Sequence, residues 1–361
     1  MTPSDEPTPS AQIIRGRGAA TNPANRFERL AIEWEPEALV DEDGEPIQPT
    51  TIYFRDDSKS LLTFNDSPDI PFNVGLNPYR GCEHGCAYCY ARPSHEYAGF
   101  SAGLDFESRI IVKERAPELL RAELSRKSWK PQRIGMSGIT DCYQPVERKL
   151  EITRRCLGVL AEFRNPVTVI TKNHLITRDI DHLSELARHQ AVLAALSITT
   201  LDGDLTKILE PRASPPSRRL AAVRELHAAG IPVMVMMAPV IPGLTDHEMP
   251  AIFAAAAEAG ACDAGIVPLR LPGAVSPLFE GWLERHMPGM KDKVLGRIRD
   301  MRGGKMNDPR FGSRMRGEGI FAEQIHSLYE ISRKKAGFSG VRTPLSASSF
   351  RVPSDQMMLD L

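Results

Sequence analysis

From Phe72 to about Leu271, short apolar runs alternate with longer stretches of helical period, and this alternation limits the possible folds more than any other feature. The apolar runs are continuous, as in parallel strands that are buried on both faces. Strands are predicted at 71–77, 133–138, 167–171, 192–199, 232–239 and 264–270. Helices are predicted at 145–163, 179–189, 215–229 and 246–260. The sequence therefore predicts an α/β fold of βαβ units around a parallel sheet.

Two architectures suit about six strands in about 200 residues: a partial (β/α)6 barrel and an open, doubly wound sheet. The pattern of apolar residues is compatible with both. In either architecture the chemistry belongs to the loops that follow the carboxyl ends of the strands. Candidate site residues are therefore sought at those positions.

The flanking segments differ from this region in composition. Residues 1–20 are rich in Pro, Ser, Thr and Gly, which predicts disorder. Residues 1–50 hold ten acids against four arginines, whereas residues 291–343 hold thirteen Lys and Arg against six Asp and Glu. The predicted organisation is a disordered tail (1–20), an N-terminal extension packing on the core (21–70), a partial barrel (71–275), a C-terminal helical, locally basic region (276–343) and a second tail (344–361).

Overall composition excludes some classes of protein. The formal net charge is −1, which excludes a chain that coats nucleic acid or anionic membrane by bulk charge, although not a local basic patch. No run of about 18 apolar residues occurs, so no membrane span is predicted. The first residues, MTPSDEPTPSAQ, lack the basic and apolar regions of a secretory signal. We therefore expect a cytoplasmic protein.

The strongest motif is a cysteine cluster in which Cys82, Cys86 and Cys89 follow a C-x3-C-x2-C spacing. Three thiolates this close can converge on one soft metal centre. A structural zinc site requires four ligands, and here His84 or His95 is the candidate fourth. Three cysteines alone suit a [4Fe–4S] cluster with one iron that has no protein ligand, open to a substrate or cofactor. Both kinds of site remain possible from the spacing.

The cluster resembles that of the radical S-adenosylmethionine superfamily, in which an aromatic residue, here Tyr88, precedes the third cysteine. The sequences CysAlaTyrCysTyrAlaArg (86–92) and ThrAspCysTyrGlnProValGlu (140–147) more closely resemble the spore photoproduct lyase-like group of predicted DNA-repair enzymes. The resemblance implies a partial barrel of radical SAM type, a [4Fe–4S] cluster, S-adenosylmethionine as cofactor and an external one-electron donor such as flavodoxin or ferredoxin. It also suggests damaged nucleic acid as the substrate.

Position and resemblance together predict the site residues. Small and polar residues after the second strand, and polar residues after the third and fourth, are expected to hold the cofactor: Tyr88, Gly138, Thr140, Asp141, Lys172, Ser197 and Arg212. Lys172 is a cation at a strand end that could pair with the cofactor carboxylate. An alternative role for Thr140 and Asp141 is to cap the next helix.

Two residues are candidates for catalysis. Tyr90, next to Cys89, is expected to face the substrate. Spore photoproduct lyases carry a cysteine hydrogen donor where this chain has Gly138, so the resemblance leaves reversal of a thymine dimer in doubt. Cys142 is a candidate substitute donor, with a buried structural thiol as the alternative. Two further function classes stay open: an iron–sulfur redox sensor without turnover, and a zinc-stabilised binding protein.

Overall fold

The structure is a computed structural model, and it describes residues 14–27, 50–338 and 344–353. Within these ranges the strands are β1 (Ile52–Arg55), β2 (Leu62–Phe64), β3 (Val74–Leu76), β4 (Tyr79–Arg80), β5 (Arg109–Val112), β6 (Ile134–Met136), β7 (Val167–Thr171), β8 (Val192–Ser197), β9 (Val233–Val240) and β10 (Asp263–Pro268). The α-helices are α1 (Asp105–Ser108), α2 (Ala116–Leu124), α3 (Glu147–Leu150), α4 (Ile152–Phe163), α5 (Ile180–Arg188), α6 (Gly203–Leu209), α7 (Pro216–Ala228), α8 (Met249–Glu258), α9 (Val275–His286), α10 (Lys291–Met301), α11 (Ser313–Arg316) and α12 (Gly319–Lys335).

The main sheet has the strand order β10-β9-β8-β7-β6-β3-β2. The six strands from β3 to β10 in this sheet are parallel and follow one another in chain order, and β2 pairs antiparallel with β3 at the edge. A doubly wound sheet reverses its strand order at a switch point, whereas a barrel wall keeps it. The α/β prediction is therefore confirmed, and the strand order is that of a partial (β/α)6 barrel.

The predicted strands form because their side chains are buried on both faces. Every residue of β3 and of β6 is buried, as are five of the six residues of β8. The predicted helix at 145–163 is interrupted, since Glu151 adopts a left-handed conformation with φ 51° and separates α3 from α4. Helix α6 has no counterpart among the predicted helices; it begins where Asp202 accepts hydrogen bonds from the backbone N–H groups of Asp204 and Leu205.

A second, smaller sheet supports the cysteine loop. Its strand order is β1-β5-β4, with β1 parallel and β4 antiparallel to β5. Strand β4 ends two residues before Cys82. Strand β1, which belongs to the predicted N-terminal extension, is thus joined through one strand to the segment that leads into the cysteine loop.

Residues 14–20 pack on the protein, although the sequence predicts a disordered tail there; residues 1–13 lie outside the described residues. The backbone N–H groups of Gly18 and Ala19 donate to the Glu107 carboxylate, at 3.1 and 2.8 Å. Arg92 pairs with the same carboxylate at 2.5 Å, and both of these side chains are fully buried. A side chain at Gly18 would collide with the carbonyl oxygen of Gly85, so glycine allows this close approach. The buried carboxylate therefore orders a segment whose composition indicated disorder.

The C-terminal region links the two ends of the main sheet. Arg314 of α11 pairs with Asp69, which lies between β2 and β3, at 2.5 Å. Arg302 donates to the carbonyl oxygen of Leu269, just after β10. The 302–316 region therefore lies across the opening between the first and last strands. Within the described residues, no helix is long and apolar enough to cross a membrane.

The second predicted tail also contacts the core in the part that the structure describes. The backbone N–H of Ser346 donates to the carbonyl oxygen of Gln190, and that of Arg351 donates to that of Phe163, both at 2.9 Å. The rings of Phe350 and Phe163 lie 6.1 Å apart between their centroids.

We predict that Glu107→Gln lowers the free energy of unfolding by about 3 kcal/mol, because it leaves the buried charge of Arg92 without its counter-ion. Chemical denaturation followed by circular dichroism measures this. The control is Glu114→Gln, since the Glu114 side chain is 57% exposed and lies 3.7 Å from Arg55; we expect a change within about 0.5 kcal/mol. Equal effects of the two substitutions would contradict the role of the buried pair.

Candidate cluster and cofactor site

The cysteine loop runs from β4 to a 3-10 helix at Arg92–Ala98, at the carboxyl end of the first parallel strands. Gly81 and Gly85 have φ of 78° and 65°, which prevents the loop from forming a regular helix. The backbone N–H of Cys82 donates to the carbonyl oxygen of Phe106 at 2.8 Å, and that of Ala87 donates to that of Leu209 at 3.0 Å. The loop is thus attached to neighbouring elements by its own backbone.

The three thiols of this loop are buried or partly buried neighbours. Burial raises the pKa of Cys82 to about 12, with the charges of Asp141 and Cys89 acting in the same direction. The pKa of Cys86 is raised well above its usual range, first by burial and also by Cys89 and Cys82. Binding a metal centre would replace these protons and remove the unfavourable interactions. Three sulfur donors on one short loop fit a thiolate-bound centre, whose positive charge would stabilise the deprotonated form.

The histidines that could complete a zinc site have other contacts. His84 is buried, with Nδ1 at 3.3 Å from Asp141 and Nε2 at 3.3 Å from the Asn173 amide. His95 stacks on Phe100 and meets Phe106 edge-on. Across the described ranges, no three His, Cys, Asp or Glu side chains are arranged to hold a single metal ion, and this includes the three cysteines of the loop. Both His84 nitrogens have partners, which argues against His84 as a fourth zinc ligand. Both His95 ring nitrogens are buried and have no hydrogen-bond partner among the described residues, so ring stacking alone does not exclude His95.

Thr140 and Asp141 hold the cysteine loop in place. The Thr140 hydroxyl donates to the carbonyl oxygen of Gly81 at 2.6 Å. The Asp141 carboxylate accepts from the backbone N–H of Lys172 and Tyr143 and from the hydroxyl of Thr171, at 2.7–2.9 Å. Neither residue caps the next helix, since α3 begins at Glu147 without a side-chain cap.

The pKa of Asp141 shows how strongly its charge is stabilised. Burial acts to raise this pKa, but His84 and the hydrogen bonds from the Lys172 backbone and Thr171 lower it to about 2. With its oxygens occupied in this way, Asp141 connects β6, β7 and the cysteine loop. The structure therefore places Asp141 as a support of the loop.

Lys172 and Tyr88 lie together beside Cys86. The Lys172 ammonium is 5.7 Å from the centroid of the Tyr88 ring. Burial lowers the pKa of Lys172, but the nearby Cys86 and Glu210 charges outweigh it and raise the pKa overall. The ammonium makes no hydrogen bond or ion pair with any residue in the described part of the chain. Lys172 is therefore a partly buried cation whose ammonium N–H groups have no acceptor among the described residues.

A buried acid under Tyr88 was not predicted from the sequence. Glu210 pairs with Arg219 and accepts from the Tyr88 hydroxyl, and it also accepts from Thr199 at 2.9 Å. Arg219 in turn donates to the carbonyl oxygen of Ser197 at 2.9 Å. Burial raises the pKa of Glu210, but Arg219 and Lys172 lower it to about 2. Nothing in the local sequence LeuGluProArg marks Glu210 as buried.

Ser197 and Arg212 are not brought together. Ser197 ends β8 and is buried. The Arg212 guanidinium instead lies 3.2 Å from Glu83 and 3.4 Å from the hydroxyl of Thr51. Its backbone N–H donates to the carbonyl oxygen of His84 at 3.2 Å. Arg212 therefore lies behind the cysteine loop, and it has no contact with Lys172 or Tyr88 in these hydrogen bonds.

Tyr90 and Gly138 meet at the open end of the barrel. The Tyr90 hydroxyl donates to the carbonyl oxygen of Gly138 at 2.5 Å, and the Tyr90 residue is 51% exposed. The Arg270 guanidinium lies 5.9 Å from the centroid of the Tyr90 ring. The Arg270 Nε is buried and has no hydrogen-bond partner among the described residues. Tyr90, Gly138 and Arg270 therefore form an accessible patch in which one guanidinium N–H of Arg270 has no acceptor among the described residues.

Cys142 lies in the hydrophobic core and does not reach this patch. It is fully buried within the same core cluster as Cys156 and Leu157 of α4. Its backbone N–H donates to the hydroxyl of Ser137, and its carbonyl oxygen accepts from the hydroxyl of Thr153. Burial raises the thiol pKa well above its usual range. The core placement favours the structural alternative for Cys142 over the hydrogen-donor prediction.

Comparison with known proteins identifies the family to which this region of the chain is similar. The family model of the Radical SAM superfamily matches residues 76–256. The uncharacterized protein Rv2578c of Mycobacterium tuberculosis is 35% identical over 234 residues, which cover 64% of this chain and 68% of that protein. The uncharacterized protein MJ0683 of Methanocaldococcus jannaschii is 30% identical over 173 residues, covering 48% of this chain and 62% of that protein.

Solved structures of spore photoproduct lyase share the fold. One, complexed with dinucleoside spore photoproduct, has a TM-score of 0.57 and 15% identity and covers 80% of both chains. Another, a mutant with bound AdoMet and dinucleoside spore photoproduct, has a TM-score of 0.58 and 14% identity over 81% of this chain and 80% of that one. At this identity the similarity concerns the fold.

We predict that the anaerobically reconstituted protein binds about four iron and four sulfide, and that replacing Cys82, Cys86 or Cys89 with Ala removes most of both. Metal analysis and visible absorption measure this. Cys262→Ser is the control because Cys262 is exposed and outside the loop; it should retain the wild-type content. About one zinc without sulfide would contradict the prediction.

Proposed function

Since this chain belongs to the radical SAM superfamily, we propose that it is an enzyme whose Cys82, Cys86 and Cys89 hold a [4Fe–4S] cluster beside a site for S-adenosylmethionine. When both are bound, they supply a one-electron cleavage of the cofactor's C–S bond, which releases methionine and a 5′-deoxyadenosyl radical that takes a hydrogen atom from the substrate. The observation that carries this proposal is the position of the Lys172 ammonium beside Cys86 and near the Tyr88 ring, where it makes no hydrogen bond or ion pair with the described residues.

The neighbouring residues fit the binding of an amino acid-like cofactor. The Lys172 ammonium is a free partner for its carboxylate. The carbonyl oxygen of Gly138 is an acceptor that can approach its ammonium group, because no side chain stands in the way and the nearest atom to a Cβ there would be 3.9 Å away. Tyr88 is held from below by Glu210, so its ring provides a fixed surface. Ser197, at the end of β8, adds a hydroxyl on the same sheet edge.

The substrate we propose is an anionic one, with damaged nucleic acid as the first candidate. The solved spore photoproduct lyase is complexed with a dinucleoside lesion, and this chain has the same fold. At the open end, Arg270 supplies a cation with an unpaired Nε, and Tyr90 supplies an exposed ring for stacking on a base. A lesion within a duplex would have to be flipped out to reach this position.

The proposal does not extend to reversal of a thymine dimer. Gly138 stands where the lyases carry a cysteine hydrogen donor, and Cys142 is buried in the core. The Tyr90 hydroxyl lies next to Gly138, carries an exchangeable hydrogen and donates to the Gly138 carbonyl oxygen. We propose that Tyr90 faces the substrate and orders it against the bound cofactor.

The test is an anaerobic assay of 5′-deoxyadenosine formation with reduced, reconstituted protein and S-adenosylmethionine, with and without irradiated DNA or RNA. We expect formation in both cases and acceleration by the substrate. Deuterium transferred from a labelled substrate into 5′-deoxyadenosine would identify that substrate. No cleavage by a fully reconstituted protein would favour an iron–sulfur sensor without turnover.

We predict that Lys172→Met raises the apparent KM for S-adenosylmethionine about tenfold or more, since it removes the cation proposed to bind the carboxylate. Cofactor binding is also measured by equilibrium dialysis. Lys149→Met is the control, because Lys149 is exposed; it should leave both values unchanged. Unchanged affinity of the Lys172→Met protein, with intact iron content, would contradict the assignment.

We predict that Tyr90→Phe leaves cofactor cleavage in the absence of substrate within about twofold of wild type but reduces substrate conversion by about tenfold or more. The physical reason is that this substitution removes only the hydroxyl bonded to Gly138. Quantifying 5′-deoxyadenosine and product in the same reaction measures the ratio between them. A proportional loss of both would mean that Tyr90 supports the cofactor site instead of the substrate.

A further inference from the structure

A cavity behind the cysteine loop is rich in arginine and is not used by the proposed chemistry. It has a volume of about 660 Å³. Its described lining includes no Asp or Glu, and its charged members are four arginines, Arg148, Arg178, Arg212 and Arg218, together with His174 as a fifth basic residue. The lining does not include Tyr88, Tyr90, Gly138 or Arg270. The cavity is therefore distinct from the open end where the substrate is proposed to bind.

Two of the arginines have no acidic partner. Arg178 pairs with Glu147 and Asp179, and Arg212 pairs with Glu83. Arg148 and Arg218 are exposed and make no ion pair with any described carboxylate. Unpaired, exposed cations at the rim of a concave surface attract an acidic partner and orient its approach.

His174 connects Arg218 of this surface to Glu225. Its Nε2 lies 2.9 Å from Glu225, and its Nδ1 lies 3.1 Å from the Arg218 guanidinium. Since a guanidinium only donates, Nδ1 is the acceptor in the contact with Arg218. Arg218 is thereby held in position at the rim.

Two residues of the cavity lining contact the cysteine loop directly. Asn173 and Arg212 line the cavity, and both contact His84, which lies between Cys82 and Cys86. The backbone N–H of His84 in turn hydrogen-bonds to the Cys82 sulfur. A protein docked here would contact the lining that holds His84 within the cysteine loop, and this lining does not include Tyr90 or Arg270.

We propose that this surface, defined by Arg148, Arg212, Arg218 and Asn173, docks a small acidic electron-transfer protein of the flavodoxin or ferredoxin class. The inference rests on the proposed function, because only a cluster that must be reduced needs such a partner. With a cluster held by Cys82, Cys86 and Cys89, the reduced donor would give up one electron and be oxidised, and the cluster would be reduced by that electron. We favour this partner over a nucleic acid because the lining contacts His84 within the cysteine loop and does not include Tyr90 or Arg270, where the nucleic acid is proposed to bind.

The test compares two reductants. In the Arg148→Glu/Arg218→Glu double variant, we expect the KM for reduced flavodoxin in 5′-deoxyadenosine formation to rise by at least about tenfold at low salt. Dithionite, a small inorganic reductant that needs no docking surface, should support the same rate in wild type and variant. The salt dependence of the flavodoxin reaction should become weaker in the variant.

A matched control is Arg224→Glu, because Arg224 is exposed on the same helix, α7, but does not line the cavity. It should leave the KM for flavodoxin within about twofold. Direct binding of oxidised flavodoxin to the reconstituted protein, measured by calorimetry, should weaken in the double variant and not in the control. This binding measurement is independent of turnover.

The outcomes separate the two proposals. If wild type cleaves no S-adenosylmethionine with either reductant, the proposed function fails, while flavodoxin binding still tests the docking surface. An unchanged KM and unchanged flavodoxin binding in the double variant would overturn the docking proposal. It would equally be overturned if the variant lost affinity for a single-stranded oligonucleotide and kept its affinity for flavodoxin, since the surface would then bind phosphates.

Discussion

The geometry of the cysteine loop depends on two carboxylates, the buried Glu107 and the partly buried Asp141, which contact it at different residues. Glu107 pairs with Arg92, just after the third cysteine, and binds the backbone of Gly18 and Ala19. Asp141 contacts His84 and the strand end at Lys172. A loop with glycines at positive φ has little conformational preference of its own, so these charge-assisted hydrogen bonds determine where its thiols lie.

Charge is distributed unevenly around this loop, although the chain as a whole is almost neutral. One group of cations, Arg270 and Arg314, lies at the open end of the barrel, close to Tyr90 and Asp69. A second group lines the cavity behind the loop. The two groups therefore involve different residues, which is compatible with the proposed binding of a substrate at one and of an electron donor at the other.

The incomplete barrel is open between its first and last strands, and the C-terminal region covers part of this opening. Six parallel strands leave an opening between β10 and the β2–β3 edge. A radical formed inside would react with solvent or with the wrong group if this opening were unprotected. The link from Arg314 to Asp69 and Ser67 places the basic 302–316 region across the opening. The same region that supplies cations to the open end thus also covers its side.

Local patterns in the sequence determined the strands, most of the helices and the cysteine loop. Tertiary contacts decided where the individual side chains point. Continuous apolar runs and helical periods identified each of the six parallel strands, and the cysteine spacing identified the loop, because both are properties of neighbouring residues. Burial of Cys142, the position of Arg212 behind the loop and the Glu210–Arg219 pair under Tyr88 depend on residues that are distant in sequence. The ordering of residues 14–20 likewise required Glu107, about ninety positions away. Periodicity carries no information about such pairings, since it records only which face of an element is apolar.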